Sequence, residues 1–93
     1  MFTQPKPNVI ESDDGYSVEI LGMAGLKYTE GERTMRIDSE MVPGPAGMVV
    51  FKRSIQHWDP PHQYKEVDEQ SRSLIVENIG MALKFRGYHI DID

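Results

Sequence analysis

"IQHWDPPHQY", residues 55–64, gathers more chemically capable side chains than any other short stretch of the chain. His57 and His62 stand five apart with Asp59 between them. A loop that folded back on itself could offer zinc two imidazoles and a carboxylate. The spacing matches none of the standard zinc patterns, and Pro60-Pro61 prevents a helix that would align the donors. The chemical reading is a metal-assisted hydrolase built on His57, Asp59 and His62; the plainer one is a pair of partly exposed loop histidines. Ser54 lies three residues before His57, but no nucleophile-elbow pattern surrounds any serine. "GPAG" and "GMAG" lack both the lysine-serine/threonine ending of a phosphate loop and the dinucleotide fingerprint. Asp13-Asp14 are paired carboxylates, yet they precede Gly15, where turn chemistry already accounts for them. The chain is read as non-enzymatic, with no catalytic residue, no metal and no cofactor assigned.

Trp58, the only tryptophan, carries more information. Ile55 and Trp58 are three apart, so one helical turn capped by Ser54 would set both on one face as a hydrophobic pin. Pro60 and Pro61 would then hold the chain extended until a helix begins. Ile55, Trp58, Pro60 and Pro61 are therefore assigned structural roles, and His62 and Tyr64 are left as exposed contact candidates.

The surrounding elements must position this stretch. Residues 1–7, with two prolines and little to pack, read as a flexible lead-in to a single domain over 8–93. "NVIESDDGYSVEIL" holds two β-rich runs around a turn at Gly15. "LKYTEGERTMRIDSEM" reads as a second hairpin turning near Glu30-Gly31-Glu32. Its second strand puts Met35, Ile37 and Met41 on one face and Arg36, Asp38 and Glu40 on the other. "VPGPAG" is a loop, and "MVVF" a central strand buried on both faces. From Asp68 to Arg86 the period becomes helical, with Ile75, Ile79, Ala82 and Leu83 on one face. Asp68 is the expected N-cap, Val67 its staple and Gly87 the residue that ends the helix. Gly80 inside it suggests a close approach of helix to sheet. "YHIDID" alternates as a final strand. The expected fold is α+β: a small, mainly antiparallel sheet of about five to six strands, one long helix in the C-terminal half packed on one face, and a final strand.

Composition narrows the function. The 93 residues carry 10 basic and 15 acidic side chains, a formal charge of −5, which disfavours direct nucleic-acid binding. It suits a basic protein partner. No cysteine is present, so disulfides and thiolate zinc sites are excluded. The first residues lack the apolar run of a signal peptide, and no stretch approaches the roughly 18 apolar residues of a membrane span. A cytoplasmic protein with no membrane contact is expected. Asp13, Asp14, Glu30, Glu32, Asp38 and Glu40, with Arg36 among them, fall on turns and outward strand positions. Each alone reads as a solvated residue; together they are candidates for a negative face toward a basic partner.

The segments "NVIESDDGYSVEILGMAGLKYTEGERTMRIDSEM", "SIQHWDPP" and "IVENIGMALKFRGYHIDI" together resemble the immunity protein 74 family of bacterial polymorphic toxin systems. The likeness runs from about Asn8 to Ile92. It is carried by the tight hairpin at Gly15, Tyr28 before "EGER", the "SI..WDPP" segment and the "I..NI..AL.F.G" helix. The resemblance implies a small protein that binds and neutralises a cognate toxin and so protects the producing cell. A toxin nuclease would be an apt target, because its cleft must be basic to hold phosphate. The competing reading is a homodimeric binding module that pairs through the edge of "YHIDID".

Overall fold

The computed structural model describes residues 1–43 and 47–93; Gly44 and Pro45 of the expected loop lie outside the described residues. Five strands run as an antiparallel meander in chain order: β1 (Phe2–Lys6), β2 (Val9–Ser12), β3 (Tyr16–Ile20), β4 (Leu26–Glu30) and β5 (Arg33–Ile37). A second sheet follows, with β6 (Ser39–Val42), β7 (Gly47–Val50) and, after the helix α1 (Glu69–Phe85), β8 (His89–Ile92). In it β7 is central, antiparallel to β6 and parallel to β8. The fold is α+β. The single expected sheet is divided in two, and one pair in it is parallel.

Inward positions alternate as a half-buried sheet requires. Ile10, Val18, Leu26, Tyr28, Met35 and Ile37 from the meander join Met48 and Val50 from β7. Helix α1 supplies Ile75, Ile79, Ala82 and Leu83, the four expected from its periodicity, and the sixteen buried apolar residues among those described form one cluster. On β7, Met48 and Val50 are buried while Val49 is half-exposed, so the strand buries one face fully instead of both.

Two expectations about the chain's course are corrected. Residues 2–6 form the outer strand of the meander, where Phe2 packs on Tyr16 and Phe85. An edge strand tolerates proline, and the β1–β2 register shifts between Thr3 and Lys6, around Pro5. The strand expected to continue from Met35 to Met41 breaks at Asp38. There the loop after β7 takes over its backbone: the Phe51 N–H donates to the Asp38 carbonyl (3.0 Å) and the Asp38 N–H donates to Ser54 Oγ (2.9 Å). The same loop covers the free edge of β5 again where the Asp59 N–H donates to the Thr34 carbonyl at 2.8 Å.

Helix α1 is closed at both ends. The Asp68 side chain accepts from the Ser71 N–H at 2.7 Å. At the other end Gly87 (φ 96°) donates to the Lys84 carbonyl and Tyr88 to the Leu83 carbonyl, the paired bonds of a Schellman motif. The Ser71 hydrogen bonds hold the Asp68 carboxyl below its ordinary value of 3.8. A depressed carboxyl contributes stability that is present above the ordinary value and lost as pH falls through the folded one. The melting temperature of Asp68→Ala should therefore lie below that of the parent at pH 7, and the gap should narrow below about pH 4. Thermal melts across that range measure it.

Gly80 does not mark a close approach: a methyl group there would meet nothing within 4 Å. Its backbone stays helical, so Gly80→Ala should raise stability by about 0.5–1 kcal/mol. Denaturant titration of the two chains checks this.

Candidate functional site

The β2–β3 and β4–β5 turns of the meander lie at the same end of the sheet. Tyr16 pairs with Glu30, and the Gly31 N–H donates to the Gly15 carbonyl, so the tips touch. Asp14 is exposed and its N–H is held by Ser12 Oγ at 3.0 Å; Glu32 is exposed on the neighbouring tip. Asp13 pairs with the N-terminal ammonium at 2.8 Å, which holds its carboxyl low. Both partners are well exposed, so water screens the pair. Glu30 is occupied internally: it accepts from the Tyr28 hydroxyl at 2.8 Å and pairs with Arg33 at 3.0 Å.

Arg36, Asp38 and Glu40 lie at the opposite end, along a cleft of about 610 Å³ that Met23, Phe51 and Arg53 also line. Arg36 reaches Asp38 at 3.4 Å. The outer face of the meander is mixed in charge, since the register sets Glu19 opposite Lys27 and Lys27 opposite Arg36. The expected acidic set is thus split between two ends of the molecule and does not make one negative sheet face.

The stretch from Ile55 to Tyr64 takes a different course from the one its residues suggest. The short 3₁₀ turn covers Lys52–Ser54 and ends as Ile55 becomes extended (φ −85°, ψ 91°), and the Ser54 hydroxyl donates back to the Phe51 carbonyl at 2.6 Å. Ile55 and Trp58 are nonetheless both buried. After Asp59 the chain turns twice, with the His62 N–H donating to Asp59 and the Lys65 N–H donating to His62. Pro60 and Pro61 lie in the first of these turns and do not hold an extended segment. His57 is exposed, and Asp59 accepts from the Thr34 hydroxyl at 3.1 Å. Among the described residues no three His, Asp or Glu side chains gather in a way that would hold a metal ion. His62 is half-exposed and Tyr64 almost wholly so.

A further set joins in space residues that are far apart in sequence. An aromatic run passes beneath α1: Phe85 to Phe2 (5.4 Å between ring centroids), Phe2 to Tyr16 (6.2 Å), Tyr16 to Tyr28 (5.8 Å) and Tyr28 to Trp58 (6.2 Å). Arg33 closes it, its guanidinium carbon 4.9 Å from the Trp58 ring centroid. Asn78 of α1 donates to the Tyr28 hydroxyl at 2.9 Å, tying helix to sheet. Burial pushes the Tyr28 hydroxyl far above the ordinary tyrosine range. The Tyr16 hydroxyl is buried with no hydrogen-bond partner among the described residues, and burial raises its pKa too.

A family model described as immunity protein 74 matches residues 17–93. The chain belongs to the immunity protein 74 family. No curated protein and no solved structure matches it. In this immunity protein 74 member the matched stretch starts inside β3, later than the Asn8 at which the resemblance begins, and takes in β4 through β8 with α1. It contains one acid-bearing tip, the cleft, the Trp58 loop and the helix. The strands β1 and β2, with Asp13, Asp14 and Phe2, precede it. Among the described residues no helix is long and apolar enough to cross a membrane.

Proposed function

We propose that this chain is a non-enzymatic immunity protein that binds one cognate toxin, occludes it and so protects the cytoplasm of the producing cell. The observation that carries the reading is the family match over residues 17–93. The formal charge of −5 supports a basic partner, as do the exposed carboxylates on the turn tips. A nuclease toxin fits this chemistry, since its substrate-binding surface must attract phosphate. Co-expression with the toxin domain encoded beside this chain is the test. Restored growth and a one-to-one complex are expected; no complex and no protection would overturn the proposal.

One observation favours a second reading. Among the described residues strand β8 pairs only with β7, leaving its other edge for a second copy of the chain, with Asp91 and Asp93 exposed beside it. A monomeric mass in solution at tens of micromolar would remove that alternative.

A further inference from the structure

We infer that the exposed apolar flank of α1 and the two turn tips beside it form one docking surface, occupied by a basic segment of the toxin that carries apolar side chains. The inference rests on the reading of this chain as a toxin-binding immunity protein. Leu74, Met81 and Phe85 are 55%, 44% and 52% exposed. Spacings of seven and four residues set them along one flank over about 16 Å of helix.

Two contacts fix which way that flank faces. Asn78, within the same row, donates to the Tyr28 hydroxyl, which in turn donates to Glu30, the last residue of β4. Phe85 packs on Phe2, whose register partner is Ser12, the last residue of β2. Ser12 leads into the β2–β3 turn and Glu30 into the β4–β5 turn, so the flank runs along the end that carries Asp14 and Glu32. Glu77 sits beside Asn78 on the helix, close enough for its charge to be felt at the Tyr16 hydroxyl. Among the described residues Asp14, Glu32 and Glu77 form no ion pair.

Charge complementarity selects the occupant. At the Leu74 end Arg33 is paired with Glu30 and Lys65 stands beside Glu66, so the three unpaired carboxylates set the sign: they attract cations flanking an apolar anchor and repel an acidic surface. The cleft at the other end sets Arg36 and Arg53 against Asp38 and Glu40 and favours neither sign. The aromatic run beneath the flank also keeps its floor packed before binding, which limits the ordering cost of docking.

The test measures binding of the purified toxin domain encoded beside this chain to the parent and three variants. One carries Leu74→Ser and Met81→Ser, the second Asp14→Lys, Glu32→Lys and Glu77→Lys, and the third Arg36→Ala and Glu40→Ala in the cleft. All these positions are exposed, and thermal melts verify that each variant is folded. The first two sets are each expected to weaken binding about tenfold or more. The charge set should also flatten the salt dependence of the association rate. The cleft set should bind within about twofold of the parent. If the parent binds and folded variants of the first two sets bind equally well, the docking surface is overturned while the proposed function stands. The same holds if only the cleft set loses binding. If the parent forms no complex, both fall.

Discussion

Replacing Trp58 by alanine is expected to destabilise the chain by about 3–5 kcal/mol, the usual cost of emptying a large aromatic site. For a domain of this size that is a fall of at least about 12 °C in melting temperature. Trp58 is 4% exposed and lies between Tyr28 and the Arg33 guanidinium, with Ile75 of α1 beside it. Its loss would remove the end of the aromatic run and leave Arg33 without the ring face it covers. Ile55, three residues earlier in the same loop, is fully buried in the same core cluster. Trp58→Phe should recover much of the loss by refilling the site. Thermal and chemical denaturation decide the matter. A Trp58→Ala chain that melted like the parent yet no longer bound its toxin would move this residue from the core to the interface.

The second large effect is expected at Gly25, just before β4. Its φ is 99°, and a Cβ there would lie 2.5 Å from the Ile37 carbonyl oxygen, a backbone atom that cannot swing aside. Gly25→Ala should therefore cost about 2–4 kcal/mol, combining left-handed strain with the clash. Gly22 provides the comparison. Its φ is 68°, but nothing lies within 4 Å of an added Cβ, so Gly22→Ala should cost only about 1–2 kcal/mol. Equal losses at the two sites would show that the contact with Ile37 does not constrain the chain.

Local signals announced the local structure. The helix was legible from its cap, its buried face and its terminal glycine, because each depends on residues within a few positions of one another. The hairpins around Gly15 and Gly31 were legible for the same reason. The division into two sheets was not. Met35, Ile37, Ser39 and Met41 keep the same parity through Asp38, and a period of two does not register a change of partner. What breaks the strand is the loop after β7, whose Phe51 and Ser54 arrive from more than ten residues away. Prolines at positions 5 and 7 looked like breakers because a proline is excluded only from inner strands, and the position of β1 at the edge was not visible in the sequence. The candidate site was legible as residue types and not as places. Carboxylates read as one face were distributed to two ends of the meander. Leu74, Met81 and Phe85 fall outside the buried stripe of α1, and only the contacts of Asn78 and Phe85 show which way that flank faces.

The order in which the strands pair also sets how the chain is built. Each strand of the meander after β1 pairs with its immediate predecessor, so those contacts close short loops. The β7–β8 pair joins residues 42 positions apart, Gly47 with His89 and Val50 with Ile92. Closing that span costs more chain entropy than any hairpin, and contacts of high sequence separation form slowly. The meander should gain its protection from hydrogen exchange first during refolding, and the amides of β8 last. A chain stalled at that step would already display the turn tips but would leave β7 with an open edge. Between synthesis and completion, that edge is where two unfinished copies could pair with each other instead of with their own last strand.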